Sequence, residues 1–135
     1  MRVLKLLVLL FFLIPVAALN SGAQETVKKK GDVYLTPEVM PEYPGGNEGL
    51  TSFIMKNVNY PEQAKKEGIT GKVFVSFIID KQGKVTKVKV EESVHTLLDN
   101  EAVRVVKLMD KWTPGKEKGK PVKVQYTLPI NFALS

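Results

Sequence analysis

Cysteine is absent from this 135-residue chain, and histidine occurs once, at His95. Without thiols the chain can form no disulfide, no thiolate metal site and no cysteine nucleophile. A lone histidine, with no Gly-x-Ser-x-Gly or His-Glu-x-x-His motif in the chain, supports neither a hydrolytic triad nor a histidine-based metal site. Glu91 and Glu92 are adjacent on a predicted strand and point to opposite faces, so they form no carboxylate pair. The sequence predicts no enzyme activity, no metal and no cofactor, and it places His95 in the turn before a helix.

Long apolar runs are also missing, with one exception at the start of the chain. A basic segment with Arg2 and Lys5 precedes the apolar run 6–19, and small residues follow up to Ala23. The run is shorter than the roughly 17–25 residues that a membrane-spanning helix needs. Residues 1–23 are therefore predicted to be a signal peptide for export, with Gln24 as the mature N-terminus. The alternative is a retained membrane anchor.

Acidic residues are outnumbered by basic ones, which gives a formal net charge of +6, or +4 once Arg2 and Lys5 leave with the signal peptide. This mild excess does not indicate nucleic-acid binding, because the stripe Lys84, Lys87 and Lys89 lacks the aromatic residues that stack on bases. A solvated basic surface is the simplest interpretation. Envelope polymers, anionic lipid head groups and acidic protein patches are the alternative partners.

The remaining chain of about 110 residues is long enough for one domain with a single core. Residues 24–39 are predicted to be a polar linker that includes a short strand-like stretch from Val33. Prolines and glycines at 41–46 then force turns. We assign the domain to residues 40–135.

Three helices are predicted from apolar residues at helical spacing. The first contains Leu50, Phe53 and Val58, and the second runs from Glu62 to Glu67. The third has one apolar stripe, made by Leu97, Leu98, Ala102, Val105, Val106 and Met109. Trp112 follows the third helix and is predicted to fill the core.

Two strands, 72–80 and 84–92, are predicted to form a hairpin around a turn that contains Gly83. Both faces of the first strand are largely apolar, which predicts a central strand covered on both sides. The second strand has one apolar face, and we expect Thr86, Val88 and Val90 to point inward and Val85 outward.

The last stretch of the chain alternates strictly between apolar and other residues. The apolar positions are Val122, Val124, Tyr126, Leu128, Ile130 and Phe132. Pro129 has no N–H to give a neighbour, so this strand is predicted to lie at a sheet edge. Such an edge either needs protection or is offered to a partner.

The order of these elements predicts an α+β fold with an antiparallel three-stranded sheet. The hairpin 72–92 and the last strand 122–133 form this sheet, with the strand around Val75 in the middle. The helices pack on one face. A short N-terminal strand is an optional addition.

Several short motifs follow one another along the chain. They are Tyr43-Pro-Gly-Gly46, Asn59-Tyr-Pro61, Gly68-Ile-Thr-Gly71, Trp112-Thr-Pro-Gly115 and Leu128-Pro-Ile-Asn-Phe132. In this order and spacing they resemble the C-terminal domain of TonB energy transducers, especially the short form common in Bacteroidetes-type bacteria. The resemblance covers about residues 40–134 and implies a periplasmic domain that takes part in TonB-dependent transmembrane transport.

The resemblance also implies where a partner binds. TonB C-terminal domains bind the TonB box, a short extended segment of outer-membrane transporters, as a strand added beside their last strand. The corresponding edge here consists of Gln125, Tyr126, Thr127, Leu128, Pro129, Ile130, Asn131 and Phe132. The segment Asn57, Val58, Asn59 and Tyr60, just before Pro61, is implied to contact the transporter's plug.

The predicted function is that of a stand-alone periplasmic module that binds TonB boxes. The linker 24–32 spans only about 30 Å when fully extended, which is too short to bridge two membranes. Two alternatives remain open. One is an energy transducer anchored in the inner membrane by an uncleaved N-terminal helix and coupled to motor proteins. The other is a structural or regulatory envelope module that dimerises or binds the cell wall.

Overall fold

The computed structural model describes residues 28–134. In this range the chain forms six strands and three helices. The strands are β1 (Lys29–Lys30), β2 (Val33–Tyr34), β3 (Gly71–Ile79), β4 (Val85–Glu92), β5 (Gly115–Glu117) and β6 (Lys120–Phe132). The helices are α1 (Gly46–Asn57), α2 (Glu62–Glu67) and α3 (Thr96–Lys107). The predicted signal peptide 1–23 lies outside the described residues.

The strands form one sheet in the order β1-β2-β6-β3-β4, and β5 also pairs with β6. β3 pairs antiparallel with both β4 and β6, which confirms the predicted neighbours of the central strand. The prediction of a strictly antiparallel, three-stranded sheet is wrong. β2 pairs parallel with β6, and β1 and β5 add further antiparallel pairs. The optional short N-terminal strand is present as β2, whereas β1 and β5, with two and three residues, are too short for hydrophobic alternation to reveal them.

The hydrophobic core lies on one face of the sheet. The buried strand residues of this cluster are Val73, Val75, Phe77 and Ile79 of β3 and Leu128, Ile130 and Phe132 of β6, and Val124 of β6 is also fully buried. The helices bury Leu50, Ala64, Leu98, Ala102, Val105 and Val106 in the same cluster. Phe74 and Ile78 of β3 are only half-buried and lie outside this cluster. Ser76, which lies between them, is 5% exposed and its hydroxyl donates to Glu91. The prediction that β3 is covered on both faces is therefore wrong for Phe74 and Ile78, since an antiparallel sheet needs only one packed face.

A bulge in β4 reverses the predicted facing of its first residues. Lys87 and Val88 both lie opposite Phe77, and Lys87 has a positive φ of 50°. One extra residue shifts the alternation by one position. Val85 consequently packs against the core, while Thr86 is exposed, so the predicted directions of these two residues are wrong. Val88 packs against the core as predicted.

His95 and Trp112 have the structural roles that the sequence predicted. His95 is the N-cap of α3, and its Nδ1 accepts a hydrogen bond from the Leu97 N–H at 3.1 Å. Trp112 is 4% exposed, and its ring centroid lies 5.2 Å from that of Tyr43 and 5.1 Å from that of Tyr126. Tight aromatic packing of this kind stabilises the core beyond its buried area.

The turn between β3 and β4 depends on Gly83. This residue has φ 83°, and a Cβ there would lie 1.9 Å from the carbonyl oxygen of Trp112. We expect Gly83→Ala to lower the free energy of unfolding by about 3 kcal/mol, because the substitution adds a backbone clash to the cost of positive φ. Urea unfolding followed by Trp112 fluorescence measures the change.

Gly119→Ala is the matched control. Gly119 has φ 78°, but no atom of the described residues 28–134 lies within 4 Å of the position that a Cβ would take there. Only the cost of positive φ applies to this substitution, which is about 1 kcal/mol. Equal losses of stability in the two variants would contradict the predicted contact between Gly83 and Trp112.

Candidate partner-binding edge

The two edges of β6 have different neighbours. On one edge, β6 pairs with β3 over nine consecutive positions, from Val124 opposite Ile79 to Phe132 opposite Gly71. On the other edge, β2 pairs only with Lys123 and Val124. From Gln125 to Phe132 this outer edge has no strand partner among residues 28–134. It is about 26 Å long at the usual rise of a strand.

The open edge offers a partner both main-chain groups and side chains. Alternate residues of an edge strand direct their N–H and C=O groups away from the sheet. The side chains of Gln125, Thr127, Pro129 and Asn131 are exposed, whereas those of Leu128, Ile130 and Phe132 are buried. The buried residues of the predicted binding edge can therefore offer a partner only their main-chain groups. The side chains that recognise the partner are those at the exposed positions.

The C-terminal end of the open edge meets the second predicted segment. The rings of Tyr60 and Phe132 pack edge to face, with centroids 5.6 Å apart. The Tyr60 hydroxyl donates a hydrogen bond to the Ile69 carbonyl, which fixes the ring. The structure therefore brings one end of the segment Asn57–Tyr60 against the end of β6.

Two side chains of α3 hold the segment Asn57–Tyr60 in place. Arg104 Nη2 donates hydrogen bonds to Glu101 Oε2 at 2.8 Å and to the Asn57 carbonyl at 2.6 Å. The Asn59 N–H donates to Glu101 Oε2 at 2.6 Å. Sequence reasoning missed both residues. The only feature of the sequence that could have indicated them is the three-residue spacing of Glu101 and Arg104 on a helix, because side chains at that spacing lie next to each other.

Burial alone would raise the pKa of Glu101, but the opposing hydrogen bonds are stronger. The guanidinium of Arg104 and the Asn59 N–H stabilise the carboxylate, and together they hold the pKa of Glu101 below its ordinary value. The Glu101 side chain is 11% exposed. The ionised form therefore fixes the loop after α1 to α3.

The N-terminal end of the open edge is closed by β2. Asp32, in the turn before β2, forms an ion pair with Lys123 at 3.2 Å. The Leu35 N–H donates to the Lys28 carbonyl at 2.7 Å, which ties the β1–β2 hairpin together. A partner strand therefore has open edge from Gln125 onward and meets β2 before it.

A groove of about 460 Å³ lies beside the open edge on its helix side. Tyr126 forms one wall, and residues from the segment before α1 and from the start of α1 form the other, namely Met40, Pro41, Glu42, Gly46 and Asn47. No residue of β3 lines it, and Met40 is 45% exposed. Its position beside Tyr126 suits a side chain from a strand laid along β6.

Within residues 28–134, no helix is both long and apolar enough to cross a membrane. The apolar run 6–19, which carried the prediction of a signal peptide or anchor, lies outside this range.

Comparisons with known proteins agree on one family. The sequence model of the family described as Gram-negative bacterial TonB protein C-terminal matches residues 56–134, a range that contains both predicted segments. Protein TonB of Helicobacter pylori is 35% identical over 73% of this chain, which corresponds to 35% of that protein's length. Two solution structures of the Helicobacter pylori TonB C-terminal domain are 28% identical with a TM-score of 0.51. Each covers 64% of this chain, and the match spans 78% and 90% of their own chains. The chain thus spans about a third of the curated relative that it matches.

The Glu101–Arg104 pair makes stability depend on pH in a defined direction. A carboxylate whose pKa is lowered by folding stabilises the protein above its ordinary pKa, and that stabilisation is lost as the pH falls through the lowered value. We expect Glu101→Gln to lower the free energy of unfolding by about 1–2 kcal/mol at pH 7. The difference from the parent should begin to shrink as the pH falls below the ordinary pKa of a glutamate, and should disappear once the pH has passed through the lowered pKa and the parent carboxylate is protonated. Urea unfolding across pH 2–7 measures it.

Glu62→Gln serves as the control for this experiment. The Glu62 side chain is 79% exposed and pairs with Lys65 at 3.5 Å, so we expect a change under about 0.5 kcal/mol. A Glu101→Gln effect that stayed constant from pH 7 to pH 2 would show that the charge of Glu101 does not hold the loop.

Proposed function

Because the chain belongs to the family of Gram-negative bacterial TonB C-terminal domains, we propose that its β6 edge binds an extended segment of another protein as an added strand. The partner class is the TonB box of outer-membrane transporters, and the process is TonB-dependent transmembrane transport. The observation that carries the proposal is the open edge Gln125–Phe132, which no described strand covers. Main-chain hydrogen bonds to this edge extend the sheet.

Main-chain pairing supplies a modest affinity. A strand along eight residues gains a ladder of about six hydrogen bonds, allowing for Pro129, which has no N–H. At about 1 kcal/mol each, and before the cost of ordering the partner, such a ladder corresponds to affinities from millimolar to micromolar. Backbone pairing is nearly independent of sequence, so the choice among partners needs side-chain contacts.

Two features of the structure supply such contacts in our proposal. The groove between Met40 and Tyr126 receives a helix-side side chain of the added strand, while Gln125, Thr127 and Asn131 contact its other face. The segment Asn57–Tyr60, held by α3, stands at the Phe132 end and contacts the body of the transporter. The role is binding, and no catalytic step is part of it.

If the partner binds as an added strand, its affinity should depend on those peptide N–H groups that face β6 and not on those that face away. A TonB-box peptide from a transporter of the same genome should bind the domain 24–135 and shift the NMR signals of residues 125–132. N-methylation of every second peptide residue should abolish binding when the methyl groups face β6, and should leave it within about threefold when they face away. The two N-methylated peptides are matched controls for each other.

Two results would contradict strand addition. In one, both N-methylated peptides bind like the parent peptide. In the other, binding shifts the NMR signals of a surface that does not include 125–132. Sedimentation of the domain without peptide tests whether a second copy of the chain occupies the same edge instead.

The location of the protein is a separate part of the proposal. We propose that the signal peptide 1–23 is cleaved and that the protein acts in the periplasm. N-terminal sequencing of the protein purified from its own cells should give Gln24 as the first residue. A protein that retains residues 6–19 and fractionates with the inner membrane would instead be an anchored transducer.

A further inference from the structure

We propose that the strand added to β6 carries an acidic residue at the end nearest Val124, and that a lysine-lined cleft receives its carboxylate. The inference rests on the proposed function, because the cleft can bind a side chain at the end of the added strand only after the open edge has bound that strand. It adds that the partner strand must carry a negative charge, and that the charged residue lies at a fixed position along the edge.

The cleft, which we call the lysine cleft, has a volume of about 480 Å³ and lies where β6 begins. Residues from the β1–β2 hairpin, the β3–β4 turn and the β5–β6 turn surround it. Its charged lining is mainly basic, with Lys29, Lys81, Lys118, Lys120 and Lys123. Asp32 and Glu117 also line the cleft, so five lysines and two acids leave a net charge of +3, and this excess favours an anion inside.

The acids that line the lysine cleft are already engaged. Asp32 pairs with Lys123 at 3.2 Å, and Glu117 pairs with Lys28 at 2.6 Å. Within residues 28–134, neither Lys118 nor Lys120 forms an ion pair, and the same holds for Lys81. Positive charge in the cleft is therefore left without a partner in the described protein.

The lysine cleft is continuous with the open edge. Lys123 and Tyr34 line it, and Tyr34 lies opposite Val124, one residue before the open edge starts at Gln125. A residue that extends past the paired part of an added strand advances about 3.3 Å. Because β2 occupies the edge beyond Gln125, one to three such residues that turn away from the sheet bring a carboxylate from Gln125 to the cleft.

The β2 strand determines which residue of the partner lies at the cleft. β2 occupies the outer edge of β6 at Lys123 and Val124, so an added strand cannot slide past Gln125 without displacing it. The register of the partner is therefore limited at this end.

The two ends of the open edge differ in charge. At the Phe132 end, Glu101 and Arg104 neutralise each other and Lys72 of β3 contributes one cation, whereas the five lysines and two acids of the lysine cleft leave a net charge of +3. A carboxylate at the end of the added strand therefore meets the more cationic environment at the cleft.

The test uses one TonB-box peptide in four forms, all acetylated and amidated so that no terminal charge remains. Either Glu or Gln is placed two residues beyond the box, on its N-terminal or its C-terminal side. We expect Glu to tighten binding about five- to tenfold over Gln at one side only, and to do so less at high salt. The side that responds reports whether the strand runs parallel or antiparallel to β6.

Protein variants separate the effect of the lysine cleft on binding from the effect of the net charge of the domain. Lys118→Gln with Lys120→Gln should remove the preference for Glu while the Gln peptides keep their affinity. Lys56→Gln with Lys66→Gln makes the same charge change at exposed helix positions and should preserve the preference. Unchanged amide NMR spectra establish that both double variants fold.

The outcomes distinguish this inference from the proposed function. The inference is overturned if Glu improves binding equally at both sides or at neither side. It is also overturned if Lys56→Gln with Lys66→Gln abolishes the preference for Glu. In each case the lysine cleft does not bind the acidic residue of the strand. The open edge would remain a binding site in that case. If no peptide binds in any form, the proposed function fails, and the inference fails with it.

Discussion

The antiparallel pairing of β3 with β6 is the constraint on which the rest of the structure depends. It runs without interruption from Gly71 opposite Phe132 to Ile79 opposite Val124. The ladder aligns the buried residues of both strands on one face, where the helices cover them. Because β3 occupies one edge of β6, it also determines which edge a partner can use.

In the part of the chain that the structure describes, the other edge of β6 is open from Gln125 to Phe132, yet it has features that limit indiscriminate pairing. Unprotected edges promote aggregation, and natural proteins shorten or interrupt them. Here β2 closes the edge at Val124, Tyr60 packs at Phe132, and Pro129 removes one hydrogen-bond donor from β6. These features leave a segment of defined length, which suits an incoming strand of about eight residues better than an extended sheet.

The sequence predicted the strands and helices that have long periodic patterns. It gave wrong or no predictions where a one-residue bulge or contacts between distant parts of the chain determine the structure. Alternation identified β3 and β6, and Pro129 predicted an edge strand, which holds for Gln125–Phe132 of β6 but not for Lys123 and Val124, where β2 pairs with it. The bulge at Lys87 was invisible because no glycine marks its positive φ, so Val85 and Thr86 were assigned to the wrong faces. The contact between Glu101 and Asn59 joins residues 42 positions apart, and no local pattern encodes it. The lysine cleft likewise combines three turns that are distant in the chain.

Amide hydrogen exchange along β6 tests the central claim most directly, because it separates the amides that bond to β3 from those that face outward. In the free domain, alternate amides between Gln125 and Phe132 should exchange fast while their neighbours exchange slowly. On addition of a TonB-box peptide the fast set should become protected, and the slow set should not change. Outward-facing amides that are already protected in the free monomer, or that stay fast when the peptide is bound, would contradict the account.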